Sequence, residues 1–158
     1  MIRSLLFATV ACALLFSSCG KNRDFEKVEG AELISGPCFF MEDGSGLSPM
    51  NGVTAEQFGD LLYAYRNETH YNPLFESLSI AGNVSDVGGL KSFLKGTSAA
   101  NKVFAKSGYI QRVRAYTGYA NTASGDQIAF ALIVNNYACS NSEMKRKMGE
   151  LVGSLPKQ

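Results

Sequence analysis

The sequence predicts an α/β chain of the α+β kind, in which an antiparallel sheet packs with helices. Three observations carry that prediction. Arg112 to Ala120 alternates, with Val113, Ala115, Thr117 and Tyr119 on one face and Arg112, Arg114, Tyr116 and Gly118 on the other. That is the period of a strand whose two faces meet different surroundings. Across the turn Thr122-Ala123-Ser124-Gly125-Asp126, the run Gln127 to Asn136 is apolar on both faces, Ile128, Phe130, Leu132 and Val134 against Ala129, Ala131 and Ile133. Such a strand is covered on both sides, and the alanines let a helix approach closely. Finally, Phe58, Leu61, Leu62 and Tyr65 recur at helical spacing, which gives one apolar face to lay on that sheet.

The elements follow in chain order. With 158 residues there is room for one domain, and 46% apolar with 18% charged residues describes a globular chain. A formal net charge of +1 argues against a nucleic-acid footprint. Residues 1–18 read as an export signal. Arg3 gives a short basic start, Leu5 to Phe16 is an apolar run too short to span a membrane, and the small Ser17 and Ser18 precede Cys19. The order Leu15-Phe16-Ser17-Ser18-Cys19 resembles a bacterial lipoprotein cleavage box. This implies a lipidated Cys19, a membrane anchor and a location in the cell envelope, the periplasm. A plain signal with an incidental cysteine is the other reading. Gly20 to Gly36 is polar and aperiodic, so residues 19–36 are expected to be a tether and 37–158 the folded part. Cys12 leaves with the signal. Cys38 and Cys139 remain, either as a disulfide in an oxidising compartment or as two free thiols.

Asp43 to Asn51, DGSGLSPMN, has the glycines of a tight turn. Thr54 with Gln57 three residues on predicts a capping box for the helix through Tyr65. Pro73 suits the first turn of a short second helix with Leu74, Phe75 and Leu78. The glycine-rich stretch Gly82 to Gly89 lacks the lysine and spacing of a phosphate-binding loop, and Leu90 to Leu94 reads as a helical turn. At the end, Ser140 and Glu143 predict a second capping box. Met144, Met148, Leu151, Val152 and Leu155 form an apolar stripe for core packing, with the methionines as gap-fillers.

The chemistry-bearing stretch is VFAKSGYIQRVRAYTGYANTASG, followed by AFALIVNNY. Its Lys106-Ser107-Gly108 triplet resembles the third motif of penicillin-recognising serine enzymes. Together with the DGSGLS loop upstream, the chain resembles the low-molecular-mass class C penicillin-binding proteins, D-alanyl-D-alanine carboxypeptidases and endopeptidases, over Phe39 to Val152. The resemblance implies the C-terminal portion of a penicillin-binding/β-lactamase-like domain whose N-terminal part is missing. It implies hydrolysis of D-Ala-D-Ala in peptidoglycan stem peptides through an acyl-serine, recognition of β-lactams, and neither cofactor nor metal. It assigns substrate binding to Lys106, Ser107 and Gly108, and the loop signature to Asp43, Gly44, Ser45, Gly46, Leu47, Ser48 and Asn51. Asp43 and Ser45 are expected to form the turn, and Arg112 and Arg114 extend the positive field beside Lys106 or are exposed strand arginines.

The other two motifs of that chemistry are a serine with a lysine three residues on, and a Ser-x-Asn element. Ser-x-x-Lys occurs at Ser18/Lys21, Ser92/Lys95, Ser142/Lys145 and Ser154/Lys157. Chance alone supplies about one such pair at this composition, and none lies where the family carries its nucleophile. Ser-x-Asn is absent from the sequence, so no catalytic residue is assigned. His70 is the single histidine and reads as a surface residue; no zinc-type spacing accompanies it. Without the family's N-terminal strands, the edge of Gln127 to Asn136 is expected to be unpaired, an association hazard or a seat for a protein partner. Three functions follow as expectations: a carboxypeptidase half, a non-catalytic cell-wall-binding or scaffolding lipoprotein, or the remnant of a split enzyme.

Overall fold

The computed structural model describes residues 40–158. The expected export signal 1–18, lipidated Cys19, tether 19–36 and Cys38 lie outside the described residues. Helix α1, Ala55–Tyr65, starts at the predicted capping box: Thr54 accepts from the Gln57 amide and the Gln57 side chain from the Thr54 amide. Helix α2 is Tyr71–Ser77, with Pro73 in its first turn. Then come β1 (Ser79–Ile80), β2 (Val103–Ile110), β3 (Val113–Asn121) and β4 (Gln127–Asn135), all neighbours antiparallel in the order β1-β2-β3-β4. Helix α3, Asn141–Val152, and a short 3₁₀ turn, Leu155–Lys157, close the chain.

The sheet is covered on both faces because its strands alternate. Tyr119 and Ala129, with Phe104, Ala131 and Ile133, pack against Phe58, Leu61 and Leu62 of α1 and Leu74 of α2. Their same-strand neighbours Val103, Ala105, Tyr116 and Phe130 pack against Leu90, Phe93, Met148 and Val152. The alanines of β4 thus lie under α1, where short side chains let a helix sit close to the sheet. The β3–β4 hairpin is fastened by the Thr122 amide on the Asp126 carbonyl (2.8 Å) and the Asp126 amide on the Thr122 hydroxyl (2.9 Å), with Gly125 at φ 90°.

Leu90 to Leu94 is a run of turns, with the Phe93 amide on the Leu90 carbonyl (2.9 Å) and both side chains anchored in the core. Two expectations need correction. Leu151 leaves the predicted stripe and is 60% exposed, because α3 presents Met148 and Val152 inward instead. The second capping box is half made. Ser140 accepts from the Glu143 amide (3.2 Å), while the Glu143 carboxylate pairs with Lys147 one turn on (3.1 Å).

Candidate functional site

Strand β2 carries the triplet into the site. Lys106 lies opposite Thr117, Ser107 opposite Tyr116 and Gly108 opposite Ala115. On its other side β2 pairs with β1 only at Phe104 and Ala105. Past Ala105, no described strand pairs with that outer edge. The main-chain donors and acceptors of a free edge are a ready template for an extended peptide. Lys106 is exposed, and its ammonium donates to the Ser107 carbonyl (2.8 Å).

The loop of residues 43–51 is built around one carboxylate. A bridge between Phe40 and Gly52 closes its base (2.8 and 2.9 Å). Asp43 then accepts from the Ser45 hydroxyl (2.6 Å), the Asn51 side-chain amide (2.7 Å) and the backbone amides of Gly46 (3.1 Å) and Ser48 (3.2 Å). The Asn51 side-chain oxygen returns the contact to the amides of Glu42 and Asp43. These bonds, led by those from Ser45 and Asn51, hold the Asp43 carboxyl below the usual range, since each is made to the charged form. A carboxylate so satisfied is a weakened base toward the Ser45 hydroxyl bonded to it.

A cavity of about 700 Å³ joins the two stretches. Ser45 to Pro49 and Asn51 line one side, Lys106, Ser107 and Gly108 the other. Residues more than fifty positions apart in sequence are thus brought together. Asp43 and Gly44 are not in the lining; they shape the loop from behind. Arg112 lines the cavity, its Nε donating to the Tyr137 carbonyl (3.0 Å), so it adds positive charge beside Lys106. Arg114 does not line it. That residue is 8% exposed, its guanidinium held by the Asn141 side-chain oxygen and the Tyr116 hydroxyl, with the Tyr109 ring 4.8 Å away. Tyr109 itself lines the cavity and is half exposed. Sequence reading passed over it; its place directly after the triplet was the available signal. His70 is exposed at the start of α2 and not in the lining. Cys139 is half-buried with a free thiol. Among the described residues no group of three or more His, Cys, Asp or Glu side chains is placed to hold a metal ion.

The Asp43 loop has a pH signature. Because folding lowers this carboxyl, the loop's stabilisation is complete above its unfolded value near pH ~4 and is lost as pH falls through the lowered folded value. Amide shifts of Gly46 and Ser48 should therefore stay flat from neutral pH down to about 4 and move only below it. In Asp43→Asn that acid transition should be absent.

A family model described as the D-Ala-D-Ala carboxypeptidase 3 (S13) family matches residues 32–158. A D-alanyl-D-alanine carboxypeptidase from Actinomadura sp. is 36% identical over 100 residues, covering 62% of this chain and 18% of that protein. Penicillin binding protein 4 from Haemophilus influenzae superposes with a TM-score of 0.68 at 25% identity, over 79% of this chain and 29% of its own. The same protein complexed with a β-lactam gives 0.67 at 26% identity, over 78% and 30%. A predatory endopeptidase from Bdellovibrio bacteriovorus, solved with an immunity protein, shares the fold at 19% identity and a TM-score of 0.58, over 75% and 32%. The chain therefore spans less than a third of each of these relatives.

Proposed function

This chain belongs to the D-Ala-D-Ala carboxypeptidase 3 (S13) family, and from that premise we propose that its cavity takes the D-alanyl-D-alanine end of a peptidoglycan stem peptide, or a β-lactam in its place. The observation that carries the reading is the convergence of the 43–51 loop and the Lys106-Ser107-Gly108 strand on one cavity, beside a strand edge that no described strand pairs with past Ala105. In this reading a peptide adds to the free edge of β2 by main-chain hydrogen bonds. Lys106 and the Ser107 hydroxyl take its terminal carboxylate, a charge-assisted contact. Gly108, without a side chain, lets the peptide backbone come close.

The chain aligns substrate and leaves turnover to a second component. None of the described cavity serines meets a strong base at its hydroxyl. Ser45 donates to Asp43, the Ser48 hydroxyl accepts from the Met50 amide (3.2 Å), and Lys106 reaches the Ser107 carbonyl rather than its hydroxyl. A companion chain carrying Ser-x-x-Lys and Ser-x-Asn would complete the enzyme. Its seat is the outer edge of β4, which among the described strands pairs only with β3 and keeps Ile128, Leu132 and Val134 half exposed. Export through residues 1–18 and a lipid on Cys19, with residues 19–36 as tether, would put this assembly in the envelope beside its substrate. Without a companion, the same cavity serves a non-catalytic cell-wall-binding lipoprotein.

Two measurements test this. A diacylated Lys-D-Ala-D-Ala peptide titrated into the purified chain should shift the amides around 106–110, and Lys106→Ala should weaken that binding roughly tenfold or more, the loss of one charged hydrogen bond. Fluorescent penicillin should give no covalent band on a denaturing gel. A band would show that a serine of this chain is activated and end the need for a companion. No peptide binding would sink the substrate-aligning role.

A further inference from the structure

Two of the Ser-x-x-Lys pairs that the proposed function leaves unused, Ser92/Lys95 and Ser142/Lys145, line one groove between residues 92–98 and helix α3. It has a volume of about 560 Å³ and shares no lining residue with the cavity described above. We propose that this groove is a second binding site, for a phosphate-bearing ligand. Lys95, Lys145, Arg146 and Lys157 line it against a single acid, Glu150, which already pairs with Arg146. Arg146 and Glu150 cancel, and the three lysines leave a net charge of +3 on a chain whose total is +1. The neighbouring acid of α3, Glu143, is held by Lys147 and does not line the groove.

Hydrogen bonding gives the same sign. The Lys145 ammonium contacts the Ser92 hydroxyl at 3.3 Å. An ammonium has donors and no acceptor, so Lys145 donates and Ser92 keeps its own hydrogen for another acceptor. This pair is arranged to meet an anion rather than to make a nucleophile, because the serine proton has no base to go to. The free cations are lysines, point charges with rotatable donors, while the one planar guanidinium is already occupied. Lysines hold phosphates as point charges, and three of them around one groove match the roughly double negative charge of a phosphate ester better than the single charge of a carboxylate. The volume falls in the range of small-molecule sites, roughly 300–1,000 Å³, and so admits a phosphate with a substituent. A soluble phosphate ester and a phospholipid headgroup share this chemistry.

Inorganic pyrophosphate, titrated into the chain and followed by amide shifts, should bind at residues 92–98 and 145–149. Binding should weaken at least tenfold in Lys95→Gln/Lys145→Gln and survive in the charge-keeping Lys95→Arg/Lys145→Arg. Lys157→Gln, at a separate exposed position, should weaken it in part with the melting temperature unchanged. In parallel, sedimentation compares phosphatidylglycerol with phosphatidylcholine vesicles. Retention on phosphatidylglycerol alone, lost in the double glutamine variant and competed by pyrophosphate, assigns the site to a lipid headgroup. Pyrophosphate binding without that selectivity assigns it to a soluble phosphate. If neither probe binds, or both bind the double glutamine variant as well as the wild type, the site does not exist.

Discussion

Gly118→Ala should unfold this protein at temperatures where the wild type is stable. Gly118 sits mid-strand in β3, between Ala105 of β2 and Phe130 of β4. A Cβ added there would fall 2.0 Å from the Phe104 carbonyl oxygen and 2.6 Å from the Ala105 Cα. Both atoms are backbone in the middle of a ladder, so the clash cannot be relieved by a side-chain rotation. Strand β2 would have to pull away from β3 across its buried centre. Overpacking costs about 1–3 kcal/mol when side chains can adjust; with the clash against the β2 backbone we expect about 4 kcal/mol, a large part of a typical total of ~5–15. Urea unfolding followed by circular dichroism measures this directly. The control is Gly108→Ala on the neighbouring strand, where the new Cβ would meet only the Ala115 Cβ at an ordinary 3.6 Å. That variant should fold like the wild type while crowding the cavity and weakening peptide binding. Equal stability of the two alanine variants would mean that β2 and β3 separate more easily than their register implies.

The contrast between these glycines shows what a sequence can and cannot carry. Period-two alternation located β3 and β4 to within a residue at each end, since Arg112 to Ala120 is observed as Val113–Asn121 and Gln127 to Asn136 as Gln127–Asn135. The capping box at Thr54 placed the start of α1, because both halves of that motif are local in the chain. Arg114 was different. Alternation assigns its face but not the neighbours that cover it, which come from the register of Tyr109 opposite Arg114 and from Asn141 on α3. The result is a buried guanidinium that no described carboxylate pairs with, offset by an amide oxygen, a hydroxyl and two tyrosine rings. The meeting of residues 43–51 with 106–108 was legible only through family likeness, since nothing in either stretch encodes the path between them. The convergence of Ser92 and Lys145 was not legible at all. Each belongs to a motif that chance supplies, and only the packing of α3 on the 92–98 turns brings them together.

Tyr119→Ala should have the second large effect, and it should reach the site. Tyr119 is fully buried on the α1 face of β3, its ring edge-on to Tyr71 (5.5 Å) and tilted against Phe75 (5.7 Å) of α2. Its hydroxyl donates to the Leu62 carbonyl (2.9 Å), one of the last four carbonyls of α1, which a helix cannot satisfy within itself. Burial pushes the phenol far above the ordinary tyrosine range, so it stays a donor. One side chain thus ties both helices to the sheet. Truncation to alanine removes the ring contacts and leaves a buried carbonyl without that donor, about 4 kcal/mol on the scale of large aromatic deletions. Tyr119→Phe keeps the ring and should lose only about 1 kcal/mol. Phe58 of α1 belongs to the same core cluster as Tyr119 and also lines the site cavity, and α1 begins directly after the 43–51 loop. Loosening α1 should therefore weaken peptide binding in Tyr119→Ala at temperatures where it is still folded, and leave Tyr119→Phe near wild type. Thermal melts paired with the peptide titration separate the two effects. If the alanine variant, while folded, bound peptide as tightly as the wild type, the loop and the β2 edge would form the site without support from α1.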